Sequence, residues 1–287
     1  MATPVYQVSV SESFPLLTEI HDAPKTLFAR GALPPRGYSF LTIVGSRALS
    51  AYGKEALHYL VRGISSYPIS IVSGLALGAD GEAHRAALEY GMHTIAVPGS
   101  GIDDAVLYPR SHRHLAGDIL SHGGALLCEH APDARATTWS FPKRNRIMAG
   151  IARATLMIEA GEKSGTLITA RMTSEYNREL LAIPHPIFSS GGKGPHQFLR
   201  LGATLVCEPE HILEALGIPV RAGGIPREVL MTVQERALLD ALCEPRSRDE
   251  LIRVLGVSAS TLSTLISTLE LKGFVREAGG VFLRTHE

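Results

Sequence analysis

From residue 41 onward, short apolar runs alternate with longer stretches in which apolar residues recur every three or four positions. Each run ends in a glycine or serine turn, a rhythm that predicts a parallel sheet covered by helices. The runs at 41–44, 69–72, 94–97, 125–128, 155–159, 180–183 and 204–206 read as strands. Between them 50–66, 80–90, 142–152, 166–177 and 209–216 read as helices, several opening on Ser, Asp or Pro, the residues that favour helix starts. The whole predicts an α/β fold, an extended Rossmann-like, doubly wound and mainly parallel sheet.

The rhythm breaks at Arg221-Ala222-Gly223-Gly224-Ile225-Pro226, whose two glycines and proline mark a linker at 221–226. Over 227–287 the spacing predicts helices at 233–242, 247–255 and 258–272. A strand at 273–276, a Gly279-Gly280 turn and a strand at 281–284 follow, which makes a small C-terminal winged-helix domain. Residues 1–35 are too few for a domain and are expected to form a lead segment lying on the sheet, which leaves 36–220 as the Rossmann-like domain.

With 287 residues, 45% of them apolar, the chain can bury a full core and is not a disordered or fibrous protein. Its 28 basic and 28 acidic residues cancel, so any site for an anion must be local. Cys128, Cys207 and Cys243 have no paired spacing, which excludes a disulfide framework or zinc cluster and fits a reducing cytoplasm. Residues 1–20 carry Glu12 and Glu19 and no basic leader or apolar segment, and no stretch is long enough to span a bilayer. A soluble, cytoplasmic protein without membrane partners is expected.

In an open parallel sheet, ligands bind beyond the carboxyl ends of the strands. Four turns there share one character: Gly45-Ser46-Arg47, Ser73-Gly74-Leu75-Ala76, Pro98-Gly99-Ser100-Gly101, and the turn from Gly161 through Glu162, Lys163, Ser164 and Gly165 to Thr166. Small residues expose backbone N–H groups, and each turn is expected to lead to a helix N-terminus that favours an anion. The dinucleotide and P-loop templates both fail. Asp104 stands where a third glycine is needed, and Lys163-Ser164 precedes the last glycine of its turn instead of following it.

Charge narrows the choice. Between Arg135 and Arg171 seven basic residues face two acidic ones, and Trp139 and Phe141 immediately precede Lys143. Aromatic rings beside cations suit single-stranded nucleic acid, because bases stack while phosphates pair. The competing reading has Trp139 and Phe141 as core anchors, with Arg144 and Arg146 paired to carboxylates.

Other residues carry less. Asp80, Glu82 and His84 at a helix start are explained by capping and first-turn acidity without a metal. His112, His114, His122 and His130 lack ligand spacing, and no triad or nucleophile elbow is present, so no metal site, cofactor or catalytic residue is expected. The winged helix holds eight basic and nine acidic residues over 227–287, and Lys272 is the one basic residue of its third helix. It is therefore expected to contact protein before duplex DNA.

The motifs have a common likeness. Ile43-Val44-Gly45-Ser46-Arg47, Val72-Ser73-Gly74-Leu75-Ala76-Leu77-Gly78-Ala79-Asp80 with Ala83-His84, and Thr94-Ile95-Ala96-Val97 resemble the DprA/Smf family of DNA-processing proteins of natural transformation. Tyr108-Pro109, Phe141-Pro142-Lys143-Arg144-Asn145-Arg146-Ile147-Met148-Ala149-Gly150, Glu159-Ala160, Ser164-Gly165-Thr166-Leu167-Ile168-Thr169-Ala170 and Gly202-Ala203 continue it in order over most of 36–216. The resemblance implies a non-catalytic domain that binds single-stranded DNA without sequence preference and forms a homodimer. It also implies protection of incoming DNA, and loading of RecA recombinase while single-strand-binding protein is displaced.

Carried over by motif, Gly45, Ser46 and Arg47 would hold phosphate, and Lys143, Arg144, Asn145 and Arg146 would line the pocket. Phe141 would stack a base, and Ser164, Gly165 and Thr166 would present backbone donors. Gly74 and Lys163, from the second turn and the positive stripe, complete the candidate nucleic-acid site. Departures from the family pattern are His185-Pro186 where Pro-Gly is usual, the unusual loop at 188–194, and a helical N-terminal domain that has no counterpart here. They leave open whether the role is competence, housekeeping recombination or defence.

Two alternatives remain. The fold and the Gly-Thr turn also resemble nucleoside-monophosphate phosphoribohydrolases, but Thr169 stands where their glutamate would stabilise the ribosyl cation. A nucleotide-sensing module signalling through its winged helix is the other.

Overall fold

The computed structural model describes residues 3–220, 232–271 (for Leu271 the backbone alone) and 274–284. The expected linker at 221–226, the domain start at Arg227, and Lys272 and Gly273 lie outside the described residues. The chain divides into two compact units, Met1–Ile225 and Pro226–Glu287.

The first unit is built on a nine-stranded sheet ordered β1-β2-β6-β5-β4-β3-β7-β8-β9. Its strands are β1 (Val5–Ser9), β2 (Thr26–Gly31), β3 (Ser39–Val44), β4 (Ile69–Ser73), β5 (His93–Ala96), β6 (Ala125–Cys128), β7 (Ala154–Met157), β8 (Glu179–Ala182) and β9 (Thr204–Leu205). The helices are α1 (Val10–Ser13), α2 (Ala51–Gly63), α3 (Ala79–Glu89), α4 (Arg113–Ser121), α5 (Ser140–Ile151), α6 (Thr166–Glu175), α7 (Lys193–Arg200) and α8 (Pro209–Leu216). From β6 to β9 every pairing is parallel, and the central strands are buried apolar runs because helices cover them. The extended Rossmann-like, doubly wound α/β expectation holds.

Thr42 of β3 faces Val72 of β4 on one side and Thr155 of β7 on the other. The chain winds outward from β3 to β6, then returns through α5 to β7 and winds the other way. This reversal puts a topological switch point between β3 and β7, where the loops after the two strands splay apart.

Residues 1–35 do more than lie on the sheet. β1 and β2 join it as an antiparallel extension paired to β6. Between them Phe14 and Leu17 fill the core, and Leu17 sits where a Cβ on Gly150 of α5 would come within 2.6 Å of its side chain. These strands escape a reading of the sequence because 5–9 and 26–31 are short and mix polar and apolar residues without clean alternation, with Arg30 buried, a weak signal without the partner strand. α4 and α7 are hidden behind the histidines and glycines that surround them.

The second unit is a winged helix: α9 (Val233–Ala241), β10 (Arg246–Ser247), α10 (Arg248–Leu255), α11 (Ala259–Leu271), β11 (Val275–Ala278) and β12 (Val281–Arg284). Thr232 with Glu235, and Ser247 with Glu250, form capping boxes that satisfy helix-start donors from within the sequence. Leu238, Leu251, Leu262, Leu269 and Phe282 make its core. Among the described residues no single helix is long and apolar enough to cross a membrane.

Candidate nucleic-acid interface

β4 ends at Ser73 and the chain turns at once through Gly74 and Leu75. Leu75 takes a left-handed φ of 59°, a costly conformation for a leucine, and is held there by full burial and by His112 Nδ1 at 2.8 Å from its carbonyl oxygen. Arg144 of α5 reaches beneath this turn and donates Nη1 to the carbonyl oxygens of Gly74 and Val97. Asp80, at the start of α3, faces it, and a Cβ on Gly74 would overlap both the guanidinium and the carboxylate. Burial raises the Asp80 carboxyl above its usual range against the pull of Arg144, and lowers Arg144 to about 10. The guanidinium therefore stays charged at neutral pH under the Gly74 turn.

Above this buried layer three side chains meet. The Arg47 guanidinium carbon lies 5.8 Å from the Phe141 ring centre, and the Tyr108 ring meets Phe141 at 5.7 Å with planes 64° apart. Phe141 rests on Gly99, where a Cβ would come to 2.5 Å from the ring. With Leu77 and Pro109 they line a cleft, and Trp139 stands 84% exposed two residues before Phe141. Such a surface can take a base on an aromatic face and a phosphate on the guanidinium.

The loop carrying Arg47 is held from three sides. Thr166 donates its hydroxyl to the Gly45 carbonyl oxygen at 2.9 Å, closing the switch point. Ala79 N–H donates to Ser46 O at 3.0 Å, which is possible because Gly78 adopts a φ of 72° against the Ser46 and Arg47 carbonyls. Buried Glu159, just past β7, accepts the Ser50 amide at 3.1 Å and the Ser50 hydroxyl on its other oxygen.

The predicted residues thus sort into four groups. Gly45, Ser46, Arg47, Gly74, Phe141, Arg144 and Thr166 come together around the cleft. Lys143 and Lys163 are exposed and carry no ion pair among the described residues. Asn145 accepts from Arg144 Nε at 3.1 Å, so it orients the arginine. Arg146 points the other way and is buried, held by both oxygens of Glu129 at 2.6 and 2.7 Å and by Asp22 at 3.0 Å. The carboxylate-pairing alternative therefore describes Arg146, and the core-anchor alternative fails for Trp139.

Two expectations about the turns change. The Ser164 hydroxyl accepts the Thr166 amide at 3.2 Å, and the Ser164 amide donates to Gly161 O at 3.1 Å, so two of the three backbone donors in Ser164-Gly165-Thr166 are already engaged. The Pro98–Gly101 turn does not open a helix. Gly101 N–H donates to Ala134 O at 2.7 Å and the turn is buried beneath that segment.

The Asp80-Glu82-His84 group is structural. Glu82 meets Lys54 at 3.0 Å, His58 at 2.8 Å and Arg85 at 3.2 Å, and His84 is buried with Nδ1 2.8 Å from the Thr94 hydroxyl. Among the described residues no group of three His, Cys, Asp or Glu could hold a metal ion. Thr169 is buried and offers no charge to a reacting sugar.

Sequence reasoning leaves Tyr108 and Glu159 out of the site, although both sit in motifs that carry the resemblance. Nothing local announces that an aromatic before a proline will wall a cleft, or that one glutamate will hold a loop from another strand.

A switch-point cleft with buried positive charge, aromatic walls and a following winged helix defines a Rossmann-like domain suited to a polyanion. The chain belongs to the DNA recombination-mediator protein A family, whose sequence model matches residues 6–217, and the DprA winged helix domain matches residues 231–280. It is 42% identical over 202 residues to protein Smf of Escherichia coli K12, covering 70% of this chain and 54% of that protein. Against the DNA processing protein DprA of Streptococcus pneumoniae R6 it is 39% identical over 197 residues, covering 69% of this chain and 68% of the relative. The chain thus spans about half of the first relative's length. The X-ray structure of S. pneumoniae DprA superposes with a TM-score of 0.67 at 36% identity, covering 74% of each chain. The Helicobacter pylori DprA structure, described for its single-stranded DNA binding mode, gives 0.65 at 25% identity, covering 75% of this chain and 98% of that one.

Proposed function

We propose that this chain binds single-stranded DNA at the switch-point cleft and acts in DNA processing during transformation or recombination as a non-catalytic mediator. The observation that carries this reading is Arg47 over Phe141 with Tyr108 at the ring edge, a cation and two aromatics in one cleft with Lys143 and Lys163 exposed. Stacking tolerates any base and the cations hold the backbone, so binding is indifferent to sequence. The single-stranded DNA binding mode of H. pylori DprA, a relative of the same fold, supports the same class of ligand here. The finer reading has a cytoplasmic homodimer that protects incoming strands and loads RecA while single-strand-binding protein leaves.

Titration of labelled oligo-dT across salt tests the core of this. Micromolar or tighter binding that weakens with a log–log slope of about −0.7 per phosphate contacted is expected. Arg47→Glu and Lys143→Glu should nearly abolish it, and salt-insensitive binding or unaffected variants would overturn the site. RecA loading is tested by whether filament assembly on coated strands speeds up when the protein is added.

A further inference from the structure

A second concave site adjoins the cleft and shares one wall with it. Tyr108, 47% exposed, lines both the Arg47-Phe141 cleft and a neighbouring cavity bounded by Leu107, Arg110, Arg113 and Arg135. Three arginines converge there from different places: Arg110 from the turn after cis Pro109, Arg113 from the start of α4, and Arg135 from the segment leading to α5.

None of the three has an ion-pair partner among the described residues. Asp104, whose carboxyl feels the charge of Arg113, is engaged by Arg30, which donates to its two oxygens at 2.6 and 3.1 Å. Arg113 donates Nη2 to the Ala105 carbonyl at 2.7 Å, while its buried Nε has no acceptor. Like charges gathered around a cavity repel one another, and a buried guanidinium N–H without an acceptor is costly. An anion in the cavity relieves the repulsion.

We propose that Arg110, Arg113 and Arg135 form a second phosphate-binding pocket, entered by a single strand as it leaves the Phe141 platform past Tyr108. The inference rests on the single-stranded DNA reading above and extends it. The main cleft holds a base and its phosphate, and the arginine pocket takes a phosphodiester further along the same strand. Tyr108, belonging to both, sets the path between them.

The test is the double variant Arg110→Gln/Arg135→Gln in the full chain, which leaves the Arg113–Ala105 bond in place, with an unchanged melting temperature as the control for folding. Oligo-dT of about four nucleotides, enough for the main cleft, should bind as tightly as to the wild type, whereas a strand of about twenty should bind about tenfold more weakly. The salt slope for the long strand should lose about 1.4, the value for two phosphate contacts. A long strand bound by the variant with wild-type affinity and slope would overturn the pocket alone. So would an equal loss for the short and long strands, which would merge the arginines with the main cleft. A wild-type chain that fails to hold the long strand would instead overturn the parent reading.

Discussion

Thr166 and Gly45 meet across the switch point through a 2.9 Å hydrogen bond that joins the start of α6 to the turn after β3. Thr166→Val keeps the shape and removes the donor, leaving a carbonyl with one partner fewer. A loss of about 1 kcal/mol in stability is expected, together with weaker oligo-dT binding as the Arg47 loop loosens. Thr166→Ser should retain both. Thermal unfolding and a binding titration on the pair check this, and equal behaviour of Val and Ser would show that the bond holds neither the fold nor the loop.

Gly74 has no room for a side chain, because a Cβ there meets Arg144 and Asp80 together. Gly74→Ala is therefore expected to cost about 1–3 kcal/mol, the range for forcing extra atoms into a filled interior. It should also displace the turn that lines the cleft. Denaturant unfolding reads the first effect and strand binding the second.

Arg146 and Lys143 lie three residues apart in one basic run but should respond oppositely. Arg146→Met leaves Glu129 and Asp22 without their cation and is expected to destabilise by about 3 kcal/mol, near the lower end for breaking a buried pair because both carboxylates keep some solvent. The salt slope of DNA binding should not change. Lys143→Glu should leave the melting temperature within a few degrees while abolishing binding. A lower salt slope in Arg146→Met would show that this arginine touches phosphate after all.

Acid stability should carry the signature of His84, whose ring is lowered from 6.5 to about 3, chiefly by burial and then by His112, Arg144 and Arg85. The unfolded chain binds a proton at this position below 6.5 and the native chain does not until about 3, so stability falls as pH drops through that window. His93, also lowered by burial, acts in the same direction. His84→Gln should flatten the slope of unfolding free energy against pH over this range. An unchanged slope would mean that other groups set the acid limit.

The parallel core is legible in the sequence because strands buried on both faces are written as largely apolar runs, unbroken at Ala125–Cys128 and interrupted only by small serines at Ile69–Ser73. The winged helix is legible for a different reason: Thr232-Glu235 and Ser247-Glu250 announce their helices locally. β1 and β2 stay hidden because their strand character depends on pairing with β6. For the site, residue type locates the basic run but cannot say which way each side chain points. Lys143 faces solvent, Arg144 lies beneath the Gly74 turn and Arg146 turns toward Glu129, a division set by the 100° step of α5 and by what surrounds that helix.

Arg144 also fixes how the grip behaves under load. Its guanidinium fastens α5 to the carbonyls of Gly74 and Val97, at the ends of two central strands, while the neighbouring Lys143 faces outward. Tension on a strand held at Lys143 would pass straight into the middle of the sheet instead of stretching a surface loop. Under the proposed strand binding, the hold would then be as stiff as the domain itself.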